Sequence, residues 1–299
     1  MSGNFDDELV IRSSPLFDEQ FYMQKNPDVI ATGLDSAAHY LIKGNAEDRD
    51  PGPSFSTKNY LLLNPDVALA GMNALLHYEL HGRAEGRQLK PASLSIIDWL
   101  TDMALNVPGF RGKGELNAIA EAVIGLPANS TIVEIGVYMG QTTVVLAGVR
   151  RIADSGQVHC IDPFDCSGDD YSVPFYVDGL AKSGFGSLEE AFIATLRRFR
   201  LEALVSIHKG ASRSVAKSWG AAIDLLLLDG DQSTDGAREA FEDWIRFVAH
   251  GGTVILGNTL DREYDPSHIG NYLIASRQLV GPRFKNVYRI GAATFAQAT

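Results

Sequence analysis

Between residues 131 and 256, short apolar runs alternate with longer stretches of helical periodicity, and this alternation constrains the fold more than any other feature. The runs are 131–136, 157–161, 204–208, 223–228 and 252–256, with helical stretches at 144–152, 187–199 and 238–249. Such runs are nearly continuous in apolar residues rather than alternating, which predicts parallel strands covered by helices on both faces. Residues 286–290 and 292–296 flank Gly291 and read as a closing antiparallel hairpin. The fold class expected is α/β with seven strands. Helical stretches at 93–105 and 115–124 lead into it, and residues 109–114 read as a loop near a ligand.

Ligands of such sheets bind beyond the carboxyl ends of the strands. Here those ends are Glu134-Ile135-Gly136, Asp162, Gly210-Ala211-Ser212, Asp229 and Asn258. Carboxylates there suit ribose hydroxyls or a cationic ligand better than phosphate. The first loop, Glu134-Ile135-Gly136-Val137-Tyr138-Met139-Gly140, is not the dinucleotide pattern G-x-G-x-x-G. Gly136 allows close backbone approach, and Gly140 allows the turn into the next helix.

The N-terminal quarter is different. Residues 17–53 and 55–91 align without a gap at a period of 38, with 14 of 37 pairs identical. Shared residues include Tyr22/Tyr60, the run Asn26 to Val29 with Asn64 to Val67, Gly33/Gly71, His39/His77, Gly44/Gly82, Glu47/Glu85 and Arg49/Arg87. Asn followed by Pro reads as a helix start, and the glycines read as helix stops. His39 and His77 are expected as packed residues bonded to backbone, and the Glu/Arg pairs as structural ion pairs. One unit is too small to bury its own apolar face, so the copies should stack. This gives a domain plan of a tail at 1–15, an all-α repeat module at 16–91 and the sheet domain at 92–299.

Charge narrows the partners. Lys and Arg number 26 and Asp and Glu 37, a net of −11, which argues against a nucleic-acid binder or attachment to anionic lipid by charge. No basic start followed by an apolar run opens the sequence, and no stretch has the length of a membrane span, so a cytoplasmic location is expected. Cys160 and Cys166, the only cysteines, read as two unrelated thiols.

The order of the pieces carries a resemblance. Glu134-x-Gly136-x-x-x-Gly140, then Asp162-Pro163-Phe164-Asp165, then Asp229-Gly230-Asp231, then the run Gly251 to Leu256, is similar to class I S-adenosylmethionine-dependent methyltransferases. Within that class it resembles the small O-methyltransferases that include macrocin-type sugar enzymes. The resemblance implies a Rossmann-like sheet over about 110–297 and S-adenosylmethionine as cofactor. It implies that Glu134, Gly136, Tyr138 and Gly140 line the methionine part, that Asp162 holds the ribose, that Phe164 and Ser212 lie near the adenine, and that Asp229 borders both cofactor and chemistry. The N-terminal units resemble a module found beside bacterial glycosyltransferases and other cell-surface glycan enzymes. Together these imply a sugar or glycan acceptor and glycan-biosynthesis partners, and they allow a homo-oligomer.

Many members of this class use Mg2+ or another divalent cation held by the acid ending strand four and by a pair of residues ending strand five. Asp229 matches the first, and the pair here is Asn258-Thr259, so Asp229 and Asn258 are the candidate ligands. Where the class has Asp-Gly-Asp-His, this chain has Asp229-Gly230-Asp231-Gln232. Where that His is the base, Gln232 cannot replace it; in some sugar methyltransferases of this kind the acid two residues after the first ligand is the base, so the resemblance implies Asp231, with His268 the alternative. Residues 165–186 read as a long connection whose Asp169, Asp170, Tyr171, Phe175 and Tyr176 suit a sugar. Residues 261–271, with Tyr264, Asp265 and His268, are a second candidate wall. The rival reading is a methyltransferase fold that binds cofactor or partner without turnover.

Overall fold

The computed structural model describes residues 3–89, 96–153, 156–260 and 265–299. The expected repeat end at Pro91, the helix start at 93–95 and the wall residues 261–264, including Tyr264, lie outside the described residues. The chain divides into two compact units, Met1–Ile96 with Arg198–Arg200, and Ile97–Arg197 with Leu201–Thr299.

The larger unit is a seven-stranded sheet. Its strands are β1 (Thr131–Ile135), β2 (Gln157–Asp162), β3 (Val205–Lys209), β4 (Ile223–Leu228), β5 (Val248–Leu256), β6 (Phe284–Ile290) and β7 (Ala293–Ala298). They lie in the order β3-β2-β1-β4-β5-β7-β6. β1 to β5 pair in parallel, while β7 runs antiparallel to both β5 and β6. This is the Rossmann-like α/β sheet the apolar runs predict, closed by the hairpin around Gly291. β1 sits centrally, with Ile132 beside Val158 of β2 and Leu225 of β4. From β1 the chain proceeds outward through β2 and β3, then returns to place β4 on the other side. That reversal opens a crevice at the strand ends.

Burial on both faces explains the composition. Val133, Ile135, Leu226, Leu228, Val254 and Leu256 pack with Phe241 and Trp244 of the helix Thr234–Ile245. The helix Gln141–Ile152 is buried from Gln141 to Arg151, which is why it shows apolar residues all round instead of one stripe.

Two local expectations fail. The helix expected at 238–249 spans Thr234–Ile245, and β5 already begins at Val248. Phe241, Trp244, Ile245 and Val248 keep helical spacing across the boundary, so periodicity overruns it. β5 then shifts register against β4 before resuming, with Gly251 at φ 81°. Residues 165–186 are not a plain connection either, because Val173–Ser183 is a helix. It starts with Pro174 in its first turn and buries none of its residues.

The smaller unit is all helical. The sequence reading leaves 1–15 as a tail, but Gly3–Ser13 is a helix and its Ile11 is fully buried. Equivalent contacts recur 38 residues apart. Tyr22 Oη meets His39 Nδ1 at 2.9 Å and Tyr60 Oη meets His77 Nδ1 at 2.8 Å. The histidines therefore bond a tyrosine hydroxyl, not backbone. Asn26 and Asn64 donate back to the carbonyls of Tyr22 and Tyr60, each at 2.8 Å, and accept from Arg49 and Arg87. The asparagines thus tie down the preceding helix instead of capping the next with their side chains. Arg49 pairs with Asp28 and Glu47, and Arg87 pairs with Asp66 and Glu85. Among the described residues no helix is long and apolar enough to cross a membrane.

Candidate active site

A cavity of ≈ 500 Å³ opens at the reversal point, bordered by Ile135, Ile161 and Asp229 at the ends of β1, β2 and β4. The hydrogen-bond ladder continues past the strands. Gly136 N donates to Ile161 O at 2.9 Å, Asp229 N to Ile135 O at 2.8 Å and Gly257 N to Leu228 O at 3.0 Å. The strand-end loops are thereby held in one frame.

Gly136 makes the closest turn in that frame. Its φ is 82°, and a Cβ there would lie 2.5 Å from Asp229 O, backbone against backbone. Asp162 clamps the same loop. Its Oδ2 accepts from Val137 N at 2.8 Å and from Tyr138 N at 3.3 Å, and its Oδ1 accepts from Phe164 N at 2.7 Å. Burial pushes the Asp162 carboxyl up from its ordinary value, and these three N–H bonds offset part of that. A carboxylate has about four acceptor positions, so three backbone bonds leave about one for a ligand.

Of the residues singled out from sequence, Gly136, Tyr138, Asp162, Ser212, Asp229, Asp231 and Asn258 line the cavity. Glu134, Gly140 and Phe164 do not. Glu134 is buried behind the wall, where its Oε2 accepts from Thr143 Oγ1 at 2.6 Å and faces Cys160 Sγ at 3.7 Å. Alternation along β1 accounts for this placement: Ile135 borders the cavity, so its neighbour projects to the other face. Desolvation pushes the Glu134 carboxyl up to about 8. Gly140, at φ 93°, begins the helix Gln141–Ile152 and packs against Phe192. Phe164 packs on Phe192 as well, with ring centroids 5.5 Å apart.

Sequence reasoning missed Arg111, which lines the cavity although only 7% of it is exposed. Its Nη2 donates to Asp229 Oδ2 at 2.6 Å, its Nε to Thr142 Oγ1 at 3.2 Å and its Nη1 to Glu115 Oε2 at 3.4 Å. Its backbone N–H donates to Gln141 Oε1 at 3.0 Å. The one available signal was its place in the glycine-flanked loop 109–114. Asp229 Oδ1 accepts from Asn258 Nδ2 at 3.2 Å and from Gln232 Nε2 at 3.3 Å. Burial raises the Asp229 carboxyl above its ordinary value, and the Arg111 charge pulls it back in part.

These contacts do not fit a divalent cation. Mg2+ needs oxygen lone pairs directed at it. One Asp229 oxygen is bound to a guanidinium, the other receives two amide N–H groups, and Asn258 turns its nitrogen toward the acid. The Thr259 hydroxyl is engaged by Ala292 O at 2.9 Å and Thr294 Oγ1 at 2.7 Å. Among the described residues no three His, Cys, Asp or Glu side chains converge as metal ligands. The metal expected at Asp229 and Asn258 is therefore not supported.

Asp231 is exposed, and its Oδ1 accepts from Ser233 N at 2.8 Å. A Cβ on Gly236 would lie 2.2 Å from its Oδ2, so glycine leaves the room that carboxylate occupies. His268 stands elsewhere. It is buried, with Nδ1 2.9 Å from Asp169 Oδ1, and a carboxylate can only accept, so Nδ1 carries the proton. Ser172 Oγ donates to Asp169 Oδ2 at 2.8 Å, and Gln232 N donates to the same oxygen at 3.2 Å. This knot joins residues 169–172 to 268 and places His268 outside the cavity lining.

Aromatic rings form the rim. Phe110 lies 5.3 Å from Tyr138 and 6.1 Å from Tyr176, and Tyr138 lies 5.5 Å from Tyr176. All three line the cavity, and Phe110 is 61% exposed. Of the aromatics expected in the 165–186 segment, Tyr176 reaches the cavity, while Tyr171 packs at a tilt against His268 and Phe175.

Known proteins bear on this geometry. Residues 133–259 match a family model described as a methyltransferase domain. Among solved structures, the chain resembles an O-methyltransferase from Bacillus cereus in complex with SAH, at 14% identity and TM-score 0.48, over 74% of this chain and 97% of that one. It resembles an SAH-bound methyltransferase from Podospora anserina at 12% identity and TM-score 0.47, over 67% and 86%. A TDP-rhamnose 3'-O-methyltransferase of calicheamicin biosynthesis aligns at 14% identity and TM-score 0.40, over 60% and 76%. These are likenesses of shape, and none lends its own substrate to this chain. The stretch that matches the methyltransferase-domain model, residues 133–259, runs from β1 to just past the end of β5, within the Rossmann-like sheet of the larger unit.

Proposed function

We propose that the protein transfers a methyl group from S-adenosylmethionine to a hydroxyl oxygen of a sugar or glycan precursor. The observation that carries this reading is the single cavity wall shared by Gly136, Asp162, Asp229 and Asp231 at the strand-order reversal. Bound there, the cofactor would supply a methyl group already activated on a positively charged sulfur. Asp162 has an acceptor position left for a ribose hydroxyl, and the bare backbone at Gly136 lets a ligand approach closely. Ser212 adds a hydroxyl to the same wall. Tyr138, Tyr176 and Phe110 offer ring faces to the apolar face of a sugar. Asp231, whose Oδ2 makes no hydrogen bond among the described residues, takes the acceptor's hydroxyl proton. We read the N-terminal unit, through its resemblance, as the part that keeps the enzyme with other glycan-biosynthesis proteins in the cytoplasm.

The test is calorimetric titration with S-adenosylhomocysteine, followed by incubation with methyl-labelled cofactor and a panel of nucleotide sugars and glycans. Binding with label transferred to a sugar oxygen is expected. Absence of binding would overturn the cofactor assignment. Binding with no transfer to any acceptor would favour a degenerate, non-catalytic domain, which the replacement of a base by Gln232 also motivates.

A further inference from the structure

We propose that Arg111 is the resident cation of this site, standing where the resemblance leads one to expect a divalent metal. The inference rests on the methyl-transfer reading above and adds to it the means by which the acceptor oxygen is stabilised. Arg111 touches the same carboxylate, Asp229, that would be the first metal ligand. Its guanidinium is enclosed by two acids, Asp229 at 2.6 Å and Glu115 at 3.4 Å, and by the Thr142 hydroxyl.

Three further features fit a permanent organic cation and oppose an inorganic one. Gln232 and Asn258 both donate N–H groups to Asp229 Oδ1, so the positive ends of two amide dipoles lie beside that oxygen. A Cβ on Gly257 would lie 2.0 Å from Asp229 Oδ1 and 2.7 Å from Arg111 Nη2, so the backbone of β5's end is shaped around the ion pair. Glu115 is fixed in turn, because its other oxygen accepts from Ala292 N at 2.7 Å.

The chemistry follows from the donor inventory. A guanidinium has five N–H groups, and three are committed to Thr142, Glu115 and Asp229. Two remain on a residue that lines the cavity. They can donate to the acceptor oxygen as negative charge develops on it, in a site where burial strengthens the attraction. In the balanced step, the acceptor O–H gives its proton to Asp231 and the oxygen bonds the methyl carbon. The carbon–sulfur bond breaks, and its electron pair stays on sulfur, which becomes a neutral thioether.

The proposal is tested with Mn2+ as the probe, following the free-ion signal by electron paramagnetic resonance. Wild type, Asp229→Ala, Arg111→Met and Arg111→Met/Asp229→Ala are titrated in parallel. Wild type is expected to take up no Mn2+ that depends on Asp229. Arg111→Met leaves Glu115 and Asp229 without their shared cation, so it should bind Mn2+ on the order of tenfold tighter than wild type. The double variant should lose that gain. Uptake of Mn2+ by wild type that Asp229→Ala abolishes overturns the proposal, and this arm does not depend on the Arg111 variant folding. No gain in a folded Arg111→Met overturns it as well. Titration of wild type with S-adenosylhomocysteine separates the two levels: loss of cofactor binding there sinks the underlying reading, whereas Mn2+ uptake with intact cofactor binding sinks only the role of Arg111.

Discussion

The carboxylate of Asp162, at the end of β2, accepts from the Val137 N–H at 2.8 Å, so one strand end holds the loop that leaves its neighbour, β1. Asp162→Ala therefore removes the proposed ribose acceptor and the clamp on the Gly136 loop together. Affinity for S-adenosylhomocysteine should fall by about 1–3 kcal/mol. Unchanged affinity in a calorimetric titration would remove Asp162 from the cofactor site.

Gly136→Ala tests the frame itself. The position has φ 82°, and the added Cβ would meet Asp229 O at 2.5 Å. Strain of this kind costs roughly 1–3 kcal/mol, and the clash adds to it. Denaturant unfolding should show a clear loss of stability, with cofactor binding weakened in parallel. Wild-type stability would contradict the geometry.

Glu134 should make stability depend on pH. Its carboxyl is pushed up to about 8 by burial, against an unfolded value of 4.5. Below 4.5 both states are protonated and the contribution is complete. As pH rises from 4.5 to 8, the unfolded chain releases the proton that the folded chain keeps, so stability falls. The slope from this group is at most about 1.4 kcal/mol per pH unit. In Glu134→Gln that part of the slope should vanish; melting curves of the variant that keep the wild-type pH dependence would refute it.

Asp231→Asn preserves an oxygen for the Ser233 N–H and deletes only the carboxylate proposed as proton acceptor. Cofactor affinity should hold, and turnover on a found acceptor should drop by roughly 10²–10⁴-fold. Full turnover would exclude Asp231 as base.

In the N-terminal unit, Gly44 and Gly82 make room for tyrosine hydroxyls. A Cβ would lie 2.1 Å from Tyr22 Oη in one case and 2.3 Å from Tyr60 Oη in the other. Gly44→Ala and Gly82→Ala should each destabilise this unit by about 1–3 kcal/mol, with similar losses. A thermal melt in which either variant matches wild type would show that the tyrosine–histidine pairs do not hold the unit.

The sheet was legible because its inner strands are predominantly apolar and stop at Gly136, Asp162 and Asp229, residues with a reason to stand at strand ends. The helix Val173–Ser183 was not: Pro174 opens it and Gly179 lies inside it, residues that locally read as a connection. The same division runs through the site. Gly136 and Asp162 stand where an apolar run stops, and that local sign marks them even though Asp162 acts on the loop of the neighbouring strand. The direction of Glu134 depends on which face of β1 meets the cavity, which local pattern does not encode. Arg111 meets Asp229 across 118 residues of chain, so no short motif could join them.

The helix Val173–Ser183 carries Tyr176 to the cavity rim while none of its residues is buried, and the Asp169–Ser172–His268 knot anchors the segment just before it. Residues that contribute little to the core can change at little cost to folding. If the proposed function holds, choice of acceptor and foldability of the sheet are separable inheritances: a lineage could exchange this helix for another and acquire a new substrate, while the strand ends proposed for the methyl donor stay as they are.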